Sequence, residues 1–350
     1  MPTALMKAAR FYELNAPLQI ERISIPEIGD DEVLVQIKAV GLCGSDIHII
    51  REGLTVPAFK PMTPGHEPAG VVARVGSKVE GWAPGTRVSV LPGIYCGACP
   101  QCLQGHGQLC EQRRIIGIQT DGALAEYLKA PAKNLVHLPD NVSFAVGAIM
   151  TDAVATPWHA LIDRAALKSA ETVAIFGVGG LGLHAIHIAR IAGARQIIAV
   201  DVRDEQLTRA QQAGATTTIN PRHGSPVEAI MDATAGRGVD VAAEFIGLHT
   251  TIAQAVDAVA WGGRVVVSGL GPEPITLGLP AELVRKEVSL MGSYAFTKQT
   301  IERLMDLVAA GKLALDGSIT HTFPLDEVNH ALDVLQKKIG NPTRIVITLP

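Results

Sequence analysis

At 350 residues, 47% of them hydrophobic, the chain can bury one or two substantial cores, so two domains are expected and no metal is needed merely to fold the whole. Its 30 basic and 34 acidic residues give a net charge of -4 without a basic tail or a Lys/Arg run beside aromatics, which excludes nucleic acid as the expected partner. The opening MPTALMKAARFYE has no long apolar core and no later run is suited to a membrane span, while five cysteines, four of them clustered, fit a reducing cytoplasm better than a disulfide framework.

In chain order, the first 150 residues are punctuated by Gly and Pro. Their short apolar runs VLVQIKAV, GVVARV and RVSV, with turns at 28–31 and 84–86, predict an irregular, sheet-rich domain. This stretch carries Cys43-Gly44-Ser45-Asp46-Ile47-His48, then Gly65-His66-Glu67, then Cys96, Cys99, Cys102 and Cys110. The segment TDAVATPWHA, with Asp152 and Trp158, precedes a change of pattern. From Glu171 the order is TVAIF, a helix through the high 180s, QIIAV, another helix, TTTIN and VDVAAEF, which reads as repeated β–α–β; RVVVSG and EVSLMG are further strand candidates. Residues 300–310 and 326–337 are expected to be helical.

Four soft, ionisable sulfurs with gaps of two, two and seven residues can close around one tetrahedral Zn²⁺. Four thiolates would leave no position for a substrate, so Cys96, Cys99, Cys102 and Cys110 are expected to hold a structural ion. Cys43 and His66 are mixed ligands of the kind found at a catalytic zinc, which keeps one position open and requires a third protein ligand. Asp152 is the leading candidate for that place, and Glu67 competes with it.

The glycine turn GVGGLG follows TVAIF and opens a helix. Gly177 would allow a tight exit from the strand, Gly179 would admit a pyrophosphate to backbone N–H groups, and Gly182 would let the helix approach the sheet; Gly180 and Leu181 complete the turn. Asp201 closes the next strand where a carboxylate can accept hydrogen bonds from a ribose, which points to NAD, with a helix cap as its other reading.

Together these motifs resemble the zinc-dependent medium-chain alcohol dehydrogenase family over nearly the whole chain. The resemblance implies an α/β plus β-rich fold: a GroES-like catalytic domain over residues 1–154, a Rossmann cofactor-binding domain over 155–295, and a C-terminal return to the catalytic domain over 296–350. It implies two zinc ions per subunit, one catalytic and one structural, and reversible hydride transfer between a primary or secondary alcohol and NAD. Polyol oxidation and a noncatalytic NAD-sensitive zinc protein are the alternatives. Ser45 would bond to the reacting oxygen and His48 would pass the proton to solvent, although helix capping and an ordinary surface role compete for them. Asp46 would orient His66, with a helix cap or a solvent role as its other reading, and Glu67 would tune the metal or else form a salt bridge with a neighbouring arginine or lysine. Arg344 resembles an arginine that approaches the cofactor pyrophosphate, with a surface salt bridge as its other reading. Ile94, Trp158 and Leu270 would line an apolar substrate pocket. Two departures stand out: Asp152 occupies a position held by cysteine in some members, and Gly44 follows Cys43 where many carry a basic residue. The resemblance further implies a homotetramer acting on a small-molecule alcohol or carbonyl.

Overall fold

The apolar run EVLVQIKAVGL forms the long strand Glu32–Leu42, and most of what positions the first site is paired to it. In the computed structural model, which describes residues 4–350, this strand runs antiparallel to Glu67–Val75 on one side and to Arg344–Thr348 on the other. Tyr127–Pro131 pairs with its opening residues. The sheet continues through Arg87–Val90 to Leu135–His137 at one edge and through Ile319–Pro324 at the other. Val35, Ile37, Val72, Leu124, Ile345 and Ile347 are almost wholly buried on it, each contributing about 1.5–3 kcal/mol of transfer free energy. A glycine in mid-strand has a steric cause: a Cβ on Gly70 would lie 2.0 Å from the carbonyl oxygen of Gln36.

Register then gathers the functional residues. Gly41 faces Glu67 across one ladder and Val346 across the other. Cys43 therefore follows the end of the central strand, His66 precedes its neighbour, and Arg344 begins the third. The chain divides into two compact units, one running to Asp152 and resuming as Phe296–Pro350, the other Ala153–Ala295. The C-terminal segment thus joins the first sheet.

The second unit is built on a six-stranded parallel sheet. Its order is Thr217–Ile219, Gln196–Val200, Thr172–Phe176, Val239–Glu244, Val259–Val267 and Ser289–Gly292. TVAIF is buried at every position, as expected of a central parallel strand covered on both faces. The helices Gly180–Ile191, Asp204–Ala213 and His249–Ala258 connect or follow these strands. Strand order reverses between Thr172–Phe176 and Val239–Glu244, which fixes where a ligand crevice opens. Among the described residues no helix is long and apolar enough to cross a membrane.

Candidate active site

Cys43 is the N-cap of the short helix Gly44–Ile47. Its backbone is extended, its sulfur accepts the Ser45 N–H at 3.3 Å, and its own N–H donates to Asp46 Oδ2 at 2.9 Å. This capping box fixes the direction of the thiol. His66 Nε2 lies 3.2 Å from Cys43 Sγ and 3.8 Å from Asp152 Oδ2, while Asp46 Oδ1 stands 3.4 Å from His66 Nδ1. Ligand atoms of Cys43, His66, Glu67 and Asp152 all fall within 4.8 Å of one another.

Ionised together, the acids of this cluster would outnumber its cations. Burial pushes the Cys43 thiol up to about 11, the adjacent His66 opposes that shift, and the charges of Asp152 and Asp46 add to it. Burial also pushes Glu67 up to about 7, against the pull of Arg344 and His66. For His66, burial alone favours the neutral ring, yet Cys43, Asp46 and Asp152 together hold its pKa well above the ordinary histidine value. A thiol and three carboxyls thus converge on one imidazole and one guanidinium. Soft sulfur, imidazole nitrogen and carboxylate oxygen are zinc donors, and a dication at their centre would remove the excess negative charge, so the residues fit the metal.

Glu67 is distinguished from Asp152 by its partner. Both its oxygens accept hydrogen bonds from Arg344 Nη2, and the two side chains are almost fully buried. Room for the carboxylate exists because residue 41 is glycine: a Cβ there would lie 2.0 Å from Glu67 Oε2. Arg344, expected at the cofactor pyrophosphate or in a surface salt bridge, is committed here to a buried pair, because strand register sets it beside Glu67. Asp152 keeps a side chain 20% exposed in the π-helical turn Met150–Val154, a distortion that often accompanies functional positions.

Ser45 is half-buried next to Cys43. His48 opens the π-helical turn His48–Glu52, and its Nδ1 lies 2.6 Å from Glu52 Oε2. Glu52 had no place in the sequence reading, although a carboxylate four residues beyond a helical histidine is a recognisable signal.

The four remaining cysteines converge as the second cluster, their sulfurs within 4.8 Å of one another and none in a disulfide. Cys96 Sγ accepts the N–H groups of Ala98 and Cys99, which pull its pKa down to about 6. Cys102 is pushed up to about 12, first by burial, with the neighbouring thiols adding to the effect. Such a spread among four sulfurs is removed when all four ionise on one dication.

In the second unit the glycine turn has a steric logic at each position. Gly177 has φ +85°, a Cβ on Gly182 would sit 1.9 Å from the Gly177 carbonyl oxygen, and a Cβ on Gly179 would meet nothing within 4 Å. Open backbone at the start of the Gly180–Ile191 helix, with Leu181 half-buried beside it, is suited to a pyrophosphate. Asp201 is 8% exposed. Its Oδ2 accepts the Val178 N–H at 2.8 Å and its Oδ1 the Arg203 N–H at 3.0 Å, so it also ties the turn to the next strand.

The three apolar pocket candidates have separate environments. Ile94 lines a cavity of about 440 Å³ in the first unit with Phe59, Thr63 and Tyr127. In the second unit, Trp158 packs half-buried against the core, whereas Leu270 is 60% exposed, its backbone against Gly247. Ile94 also packs against the core of its own unit.

The family model for the alcohol dehydrogenase GroES-like domain matches residues 29–140, and that for the zinc-binding dehydrogenase domain matches residues 180–310. The chain is 35% identical to an alcohol dehydrogenase of Geobacillus stearothermophilus over 343 residues, 95% of this chain and 96% of the relative. It is 32% identical to an L-threonine 3-dehydrogenase of Bacillus velezensis over 335 residues, again 95% and 96% of the two chains. The chain belongs to the zinc-dependent medium-chain alcohol dehydrogenase family. A zinc-binding dehydrogenase from Sinorhizobium meliloti, solved bound to NADP, superposes with a TM-score of 0.90 at 33% identity, covering 99% of this chain and 100% of that one. As a member of this family the protein is an NAD-dependent oxidoreductase of alcohols that takes two zinc ions.

Cys43→Ser and Cys99→Ser should each lose about half the zinc of the parent, measured by elemental analysis, with the loss falling on different ions. Equal zinc in all three proteins would contradict both ligand sets. Arg344→Met leaves Glu67 buried and unpaired, and should lower stability by about 3–5 kcal/mol in denaturant unfolding. Gly182→Ala should sharply weaken NADH binding in a fluorescence titration while zinc content stays that of the parent, because the added carbon collides with the turn and lies far from either cluster in sequence.

Proposed function

We propose that this dehydrogenase holds its catalytic zinc through Cys43, His66 and Asp152, with Glu67 held off the metal by Arg344, and that its substrates are primary or secondary alcohols and the matching aldehydes or ketones. The observation that carries this reading is the pairing of both Glu67 oxygens with buried Arg344. Of four converging groups it leaves three protein ligands, the number a catalytic zinc keeps alongside one open position. Bound zinc supplies a polarising charge and NAD accepts the hydride.

The chain's own residues supply placement and proton transfer. Asp46 stands against the remote nitrogen of His66 and orients the ring. Ser45, set by the N–H it donates to Cys43 Sγ, offers its hydroxyl to the reacting oxygen. Glu52 accepts from Nδ1–H of His48, which leaves Nε2 with the lone pair that takes the proton released from the alcohol and returns it to solvent. Gly177, Gly179, Gly180, Leu181 and Gly182 cradle the pyrophosphate, and Asp201 accepts from the adenosine ribose, favouring NAD over its 2′-phosphorylated form. Family membership further supports a cytoplasmic homotetramer, for which light scattering should give four times the subunit mass; a monomer at all working concentrations would reject it.

The test is the absorbance of reduced nicotinamide when zinc-loaded protein and NAD⁺ meet a panel of primary alcohols, secondary alcohols, polyols and L-threonine. Turnover of simple alcohols is expected, lost on chelation while NADH still binds. His48→Ala should slow it by about 10²-fold with little change in NADH affinity. Turnover confined to L-threonine or to polyols would replace the substrate class and leave the ligand assignment standing, whereas a normal rate after removal of the catalytic zinc would overturn the mechanism.

A further inference from the structure

The dinucleotide-binding unit contains a buried acid that the chemistry above does not use. Glu244 ends the strand Val239–Glu244 and is 0% exposed. Its Oε1 accepts the N–H groups of Ile246 and Gly247, each at 2.9 Å, and the Thr251 hydroxyl at 2.7 Å; Oε2 accepts the Gly247 N–H at 3.1 Å. Its backbone carbonyl accepts the N–H groups of Ser268 at 2.8 Å and Gly269 at 3.2 Å. One residue therefore fastens two loops, that leaving its own strand and that leaving the adjacent strand Val259–Val267. Burial pushes its carboxyl above the ordinary range, while the Thr251 hydroxyl and the N–H groups of Gly247 and Ile246 pull it back.

The two loops are pressed together. A Cβ on Gly269 would lie 2.1 Å from the Gly247 nitrogen, and one on Gly271 would lie 1.9 Å from the Gly247 oxygen. The loop after Glu244 also touches the pyrophosphate turn, since a Cβ on Gly177 would lie 2.5 Å from Ile246 Cγ1. In an open parallel sheet the ligand crevice lies beyond the carboxyl ends of the strands where strand order reverses. Here that point falls between Thr172–Phe176 and Val239–Glu244. The glycine turn is one wall of the crevice, and the loop held by Glu244 is the other.

We propose that Glu244 is a positioning residue for the dinucleotide, holding the backbones of Ile246, Gly247, Ser268 and Gly269 so that the second wall of the crevice has its binding shape before the ligand arrives. The proposal rests on the dehydrogenase reading. Its physical basis is preorganisation: a wall already held by a buried carboxylate loses little further freedom when the dinucleotide docks, whereas a loosened wall must be ordered at the expense of affinity. A carboxylate is suited to the task because it accepts at both oxygens and donates at neither. Glutamine in its place turns an N–H₂ toward backbone donors.

The experiment compares the full-length, zinc-loaded parent with Glu244→Gln and Thr251→Val, reading NADH affinity by fluorescence titration, the separate kinetic constants, and Tm. Glu244→Gln should raise the NADH Kd and the KM for NAD⁺ by about tenfold, and Thr251→Val by about threefold, with kcat at saturating NAD⁺ and the KM for alcohol within about twofold. An unchanged NADH Kd in folded Glu244→Gln overturns the proposal. So does a drop in Tm accompanied by equal losses in both KM values and kcat, which marks a residue that only holds the fold. Should Glu244→Gln fail to fold, Thr251→Val decides: selective loss of NADH affinity supports the proposal and unchanged affinity overturns it. A parent that binds no NADH overturns the dehydrogenase reading as well, an outcome distinct from any failure confined to the variants.

Discussion

A buried excess of acidic groups governs the first unit. Cys43, Asp46, Glu67 and Asp152 converge on His66 and Arg344, and burial favours the neutral form of the cysteine and of Glu67. Desolvating an unpaired charge is among the largest penalties in a protein. The site is therefore built around two cations of different kinds. The fixed one, Arg344, is supplied by the last strand of the chain and balances Glu67. The other would be zinc, for which Cys43, His66 and Asp152 are the proposed ligands. The C-terminal return thus completes the electrostatics of a site whose other residues all come from the first 152 positions of the chain.

Much of this was legible in the sequence because zinc ligation imposes residue types and short spacings. The four-cysteine loop, the pairing of Cys43 with His66, and the strand–turn–helix around Gly177 and Gly182 all follow from local pattern and known chemistry. The partner of Arg344 did not follow. Salt bridges were open readings for Arg344 and for Glu67 separately, but that the two pair with each other depends on strand register, and the room that Gly41 leaves for Glu67 shows only in the fold. Pocket residues were equally opaque: whether Ile94, Trp158 or Leu270 faces a cavity, a core or solvent is decided by tertiary packing, to which an apolar letter in the sequence is indifferent. Glu52 was legible in principle, four residues from His48, but helical geometry had to be known before the spacing meant anything.

The same accounting of buried charge takes a different form in the second unit. Asp201 and Glu244 are as secluded as the acids around Cys43, yet among the described residues no cation is recorded beside Glu244. Its charge is balanced by three backbone N–H contacts and a hydroxyl, and that of Asp201 largely by the N–H groups of Val178 and Arg203. Hydrogen bonds of this kind to an ionised acceptor are roughly twice as strong as neutral ones. They give the carboxylates a mechanical role: each ties a strand end to the backbone of a loop, one on either side of the point where strand order reverses.

Two solutions to one physical problem therefore divide the labour of the enzyme. Acids neutralised by a metal keep their charge available to chemistry, since the ion they hold can accept a further oxygen ligand. Acids neutralised by backbone donors have no such reserve; their charge is consumed in shaping the chain, and what they deliver is a rigid surface. A redox enzyme that must polarise one substrate and merely orient the other requires both. The arrangement follows that need, with a cluster of acids, imidazole and thiol suited to a metal in the sheet-rich unit and backbone-facing acids at the carboxyl ends of the parallel strands.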